Sequence, residues 1–138
     1  MITEYFAKLI SEDIYKHQQD QRVPHTYYLA LSSVDPSLDS KGIEPSSSAG
    51  YARAVASNDE LTFGEADSSG IVSNNVAIYF PESTSSWGEI THYMIFDAPT
   101  DGNLLMYGQL NSPIYISLKT MIKIPAGDLK ISVENVGV

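Results

Sequence analysis

The 138-residue chain is 43% hydrophobic and carries 17 acidic against eight basic side chains, a formal charge of −9; it can build the core of one globular domain, with or without an appendage, and repels a nucleic-acid backbone. The eight cations are scattered singly, without the basic-aromatic interleave of a single-strand binder, so no nucleic-acid partner is expected. Zero cysteines exclude disulfides, thiolate metal sites and thiol nucleophiles, and no apolar run approaches the ~20 residues that span a bilayer, so no membrane insertion is expected.

The first segment, MITEYFAKLISEDIYK, lacks the basic start and unbroken apolar run of a signal peptide, so no export signal is read there. It places Ile2, Tyr5, Phe6, Leu9, Ile10 and Ile14 at helical spacing and leaves Glu4, Lys8, Glu12, Asp13 and Lys16 for water, which predicts an amphipathic helix forming a unit over residues 1–20. So short a helix needs a packing surface. Tyr5, Phe6, Leu9, Ile10 and Ile14 either dock on the chain's own core or form an assembly face against copies and partners. The polar KHQQDQRVPH follows, and Pro24 forbids helix continuation and starts an extended segment.

HTYYLALS alternates Tyr27, Leu29 and Leu31 against Tyr28, Ala30 and Ser32, a strand. Residues 33–50, rich in Ser, Pro, Gly and Asp, read as a long surface loop. YARAVA (51–56) reads as a strand, SNDE as a turn, and GEADSSG as a polar stretch before a second set of strands. VAIYF (76–80) alternates Val76, Ile78 and Phe80 against Ala77 and Tyr79. The segment from Trp87 alternates Trp87, Glu89, Thr91, Tyr93 and Ile95 against Ile90, His92, Met94 and Phe96.

APTDGN then reverses the chain into LLMYGQL (104–110), so a hairpin specified by Trp87, Gly88, Tyr93, Asp101, Gly102 and Asn103 is expected. PIYISLKTMIKI and DLKISVEN flank the turn PAGD as two further strands. The reading is all-β: an antiparallel β-sandwich of about seven to eight strands over residues 26–138, preceded by the helix. No repeat of 20 to 50 residues points to a solenoid or propeller.

Little chemistry is encoded. Glu89 and His92 are three apart, with Asp97 just beyond; a regular strand would point the first two to opposite faces, so only a bulge would let them cooperate. HExxH, GxSxG and a glycine-rich phosphate loop are absent from the sequence. SNDE and EADSSG cluster carboxylates without the ligand order of an EF-hand, and the spacing of His17 and His25 does not suit metal ligation. No catalytic residue, cofactor or metal is expected. Trp87, Tyr93, Tyr107 and Tyr115 could present flat faces to a sugar, but Trp87 and Tyr93 share parity with Ile95 and read as core, leaving Tyr107 and Tyr115 as the candidate ligand or partner surface.

The motifs occur in a telling order: TYYLALSSVDP, GYARAV, SNNVAIYFPESTSSWGEITHYMIFDAPTDGNLLMYGQL and IPAGDLKISV. In this order they resemble the small tailed-bacteriophage proteins labelled tail-fibre proteins, over nearly the whole chain. The WGEITH and DGNLL pairing is the most specific part. PSSSAG stands where members often carry a glycine-rich stretch before Y-A-R.

The resemblance implies a non-enzymatic virion component, found in the virion and in the host cytoplasm during assembly, whose partners are other phage virion proteins. By analogy with symmetric phage appendages it implies a homo-oligomer, with a trimer as one form. The resemblance leaves open a tail-fibre or tail-associated protein, a capsid-decorating, head-fibre or neck protein, and a carbohydrate-binding receptor module that takes host-surface glycans.

Overall fold

A computed structural model describes residues 1–15, 23–37, 41–59 and 61–131. Its elements are one helix, α1 (Glu4–Tyr15), and eight strands: β1 (Thr26–Ser32), β2 (Ala54–Ser57), β3 (Val72–Ser73), β4 (Ile78–Tyr79), β5 (Gly88–Phe96), β6 (Leu104–Ile116), β7 (Lys123–Ile124) and β8 (Lys130–Ile131). Residues 16–22 of the polar stretch and the end of the DLKISVEN segment lie outside the described residues.

The main sheet has the order β2-β1-β5-β6, with every pairing antiparallel. Two ladders, β3 with β8 and β4 with β7, complete an all-β sandwich-like arrangement. Apolar alternation in β1 sends Tyr27, Leu29 and Leu31 into the larger core, where they join Ile90 and Ile95 of the sheet, Phe6 of α1, Ile78 and Phe80. Edge-to-face contacts from Tyr27 to Phe6 (6.3 Å) and to Phe63 (6.1 Å) tie the helix to the β layers.

The opposite face of the sheet is covered too. Ala30, Met94, Phe96 and Leu104 form a second cluster flanked by Tyr28 and Tyr107. Part of the segment read as a surface loop is the cover: Ser32 Oγ accepts from Ile43 N–H at 3.0 Å, Ser33 N–H donates to Ile43 C=O at 3.0 Å, and Pro36 is fully buried. Gly42 makes the close approach, with φ +66°, because a Cβ there would lie 2.6 Å from Ser32 Oγ and 2.8 Å from Met94 Sδ.

Several strands differ from the periodicity reading. LLMYGQL and the start of PIYISLKTMIKI are one strand, the 13-residue β6, and the remainder turns before the two-residue β7. Pro113 is accommodated because β6 is an edge strand whose register slips: Ile90 pairs with Ile114 but His92 pairs with Gln109. The same slip breaks the single alternation expected for residues 87–96. Trp87, Ile90 and Ile95 share the larger core despite their mixed parity, while Met94 and Phe96 face the second cluster. VAIYF contributes only Ile78 and Tyr79 to a strand, and Val76 is exposed.

α1 starts at a cap built on the sheet edge. The Thr3 hydroxyl accepts from Phe6 N–H at 3.3 Å and lies 2.7 Å from the Leu104 carbonyl, while Thr3 N–H donates to the Leu105 carbonyl at 2.9 Å. An antiparallel bridge from Ile2 to Met106 holds this segment along β6.

Candidate interaction surfaces

The helix face divides. Phe6 and Leu9 are buried and Ile10 packs against the larger core, while Tyr5 and Ile14 remain exposed together with Tyr15. Three of the five residues read as a candidate assembly face therefore pack toward the chain's own domain. An acidic replacement at Phe6 would place a charge in that core.

In the hairpin, Asp97 and Asn103 close the loop. Asn103 N–H donates to Asp97 Oδ1 at 2.7 Å, its Nδ2 donates to Asp97 Oδ2 at 2.9 Å, and Asp97 N–H donates to the Asn103 carbonyl at 3.2 Å. Asp101 and Gly102 both take positive φ, 51° and 75°, which is why the turn carries Asp-Gly. Trp87 is buried, donates its indole N–H to the Ala49 carbonyl at 2.9 Å and meets the Tyr51 ring edge-on at 5.3 Å. Gly88 has φ +76°, and Tyr93, half-buried, lies opposite Gly108.

The acid-base candidates are not brought into one constellation. His92 Nδ1 lies 2.8 Å from the Thr91 hydroxyl, Glu89 is exposed opposite Tyr115, and the Asp97 carboxylate is engaged by Asn103. In the acidic loops, Asp59 Oδ1 accepts from Thr62 N–H and Asp67 Oδ1 accepts from Ser69 and Ile71 N–H, so both carboxylates brace their own turns. Among the described residues no group of three or more His, Cys, Asp and Glu side chains could hold a metal ion, and no helix is long and apolar enough to cross a membrane. His25 is exposed, and His17 lies outside the described residues. Tyr107 is half-buried beside Met1, and Tyr115 is exposed next to Ser86, so the two tyrosines do not form a common platform.

Periodicity did not reveal the polar ties beneath these surfaces. Arg53 is held by Glu44 through Nε at 3.0 Å and Nη2 at 2.8 Å, donates Nη1 to the Ala98 and Asp101 carbonyls at 2.8 Å each, and lies 3.7 Å over the Phe96 ring. Glu44 also accepts the Tyr51 hydroxyl at 2.6 Å, while that hydroxyl accepts from Leu31 N–H at 3.1 Å. Burial, then the bond to Glu44, pushes the Tyr51 phenol well above its ordinary range; burial alone pushes Tyr27 up to about 12.

Asn74 makes a second tie: Nδ2 donates to the Val76 and Pro125 carbonyls, and Oδ1 accepts from Gly127 and Leu129 N–H. Ser83 makes a third, donating to the Ser117 carbonyl at 2.6 Å and accepting from Thr120 N–H at 2.9 Å. The quoted Y-A-R, S-N and P-A-G motifs thus hold loops to strands. The available sequence signal was one arginine between Tyr51 and Val55 with Glu44 shortly before it.

The family model described as podophage GP4 fiber I protein gp80 matches residues 2–132. The chain belongs to this family. The podophage fibre family is the kind of family that the WGEITH and DGNLL order resembled, and membership supports a structural component of the virion. No curated protein matches the chain.

One apolar surface adjoins the Asn74 tie, whose Pro125 and Leu129 help to line it. A cleft of about 630 Å³ opens between β6 and the β7–β8 end, floored by Leu31, Phe80, Ile90 and Ile116. Ile114 and Ile124 stand on its walls, with Lys123 and Lys130 at its rim.

Proposed function

We propose that the chain is a non-enzymatic, tail-associated fibre component of a podophage virion that works through protein–protein assembly. The family match over residues 2–132 carries this reading. The motif residues that support it are spent on turns and loop anchoring, which suits a rigid module presented on a particle. Tyr5, Ile14 and Tyr15, the exposed helix residues, offer contacts to other virion proteins, and a homo-oligomer is part of the proposal. We further read residues 1–20 as a docking unit on the sandwich of residues 26–138.

Virions from the phage encoding this chain, purified and labelled with an antibody raised against it, test the reading. Label on tail appendages at fixed copy number supports it; label confined to the capsid surface would assign a decorating role instead. Glycan binding is a weaker second reading because Tyr107 and Tyr115 are not adjacent on one surface.

A further inference from the structure

The main sheet ends at β6, and the two ladders each present an edge, at β7 and at β8. All three edges border the 630 Å³ cleft. The N-terminal segment covers the outer edge of β6 from Leu104 to Tyr107. From Gln109 to Tyr115 that edge has no partner strand among the described residues. Exposed strand edges are templates for another extended chain.

The cleft also has an apolar floor. Leu31, Phe80, Ile90 and Ile116 are at most 5% exposed yet line it, so alternate side chains of an added strand would reach the larger core. Ile114, at 42% exposed, would be covered by the same strand.

Charge selects the occupant. The lining holds Lys123 and Lys130 against Asp128, a net +1 on a chain of −9, which leaves −10 on the remainder. A second copy therefore brings the charge that this rim lacks, and a head-to-tail contact of one copy's acidic segment in the next copy's cleft closes a ring or extends a fibre.

We propose that the cleft between β6 and the β7–β8 end is a strand-acceptor site that takes an extended acidic segment of a second copy of this chain by β-augmentation. The proposal rests on the fibre-assembly reading and adds to it the surface and the occupant.

Light scattering of the purified full chain over a concentration series tests it, at low and high salt, with hydrogen exchange on the same samples. The expected result is concentration-dependent association that weakens as salt rises, with exchange at residues 109–115 and 122–125 slowed at least tenfold on association. Ile114→Asp and Lys123→Glu, both at exposed positions, should be monomeric at concentrations where the parent associates, with unchanged circular dichroism and melting. Association by both variants as in the parent, or loss of association only in Tyr5→Asp and Ile14→Asp, would overturn the cleft as the interface. A parent that stays monomeric throughout would overturn the second copy as occupant. Neither result touches the assignment to the virion, which is decided by the presence of the chain on the particle, whereas a monomeric parent also removes self-association in solution from the fibre reading.

Discussion

Asn74 offers the sharpest test of how the chain holds its loops. It is 2% exposed and satisfies two carbonyls through Nδ2, at 2.8 and 3.0 Å, and two amides through Oδ1, at 3.1 and 2.9 Å. Asn74→Asp preserves the shape but removes both donors, leaving the Val76 and Pro125 carbonyls facing a carboxylate. At about 1–3 kcal/mol for each buried group left unpaired, the loss is roughly 2–6 kcal/mol. At about 4 °C per kcal/mol for a domain of this size, the midpoint falls by roughly 8–24 °C.

The acidic variant carries a signature of its own. A buried carboxyl facing two carbonyls titrates above its unfolded value, so the protonated form, which can donate one hydrogen bond, is favoured in the fold. The deficit relative to the parent should therefore shrink as pH falls from 7 to 4. Thermal unfolding followed by the fluorescence of Trp87, the sole tryptophan and buried, with circular dichroism alongside, gives both quantities. A shift below about 3 °C at pH 7, or an identical deficit at both pH values, would refute the role of the Asn74 tie.

Other perturbations follow from the same geometry. Arg53→Ala should cost about 2–4 kcal/mol in urea unfolding because Glu44 loses its cationic partner and keeps only the Tyr51 hydroxyl, whereas Arg53→Met combined with Glu44→Leu should recover much of it; a loss under about 1 kcal/mol for the single change would mean the pair behaves as a surface ion pair. Gly42→Ala should cost about 1–2 kcal/mol for its positive φ alone, with more from the approach to Ser32 and Met94, and should speed proteolysis of the covering segment. Trp87→Phe should lose roughly 1 kcal/mol or more with its indole hydrogen bond, measured by circular dichroism since the fluorophore is gone. Tyr27 and Tyr51 both titrate higher in the fold than in the unfolded chain, so their contribution to stability is complete below about pH 10 and is lost as pH rises beyond it, which denaturation at pH 8 to 11.5 will show as a slope reduced by Tyr27→Phe.

Much of the fold was readable where one physical signal dominates. The apolar spacing through Ile14 placed α1, strict alternation placed β1, and Asp-Gly with its positive φ values placed the reversal between β5 and β6. Alternation failed where tertiary context intervenes. Both faces of the main sheet are covered, so residues such as Tyr28 and Ala30 carry a buried pattern that periodicity reads as outward. The register slip between Ile90 and His92 accompanies a reversal of parity within β5, which strict alternation along the strand does not foresee.

The candidate surfaces were less readable for the same reason. Phe6 and Leu9 suit either a partner or a core, and only packing separates the two. Arg53, Asn74 and Ser83 act through partners 34 to 55 residues away as well as near ones, which no local window joins. The motif order, in contrast, spans those separations, and the podophage fibre family match covers the same stretch.

The most direct measurement is the protein content of purified virions, by quantitative mass spectrometry, combined with antibody labelling of their appendages. A podophage fibre component predicts a fixed copy number per particle and label on the tail. Abundance in the infected-cell lysate with none retained on purified particles would contradict it.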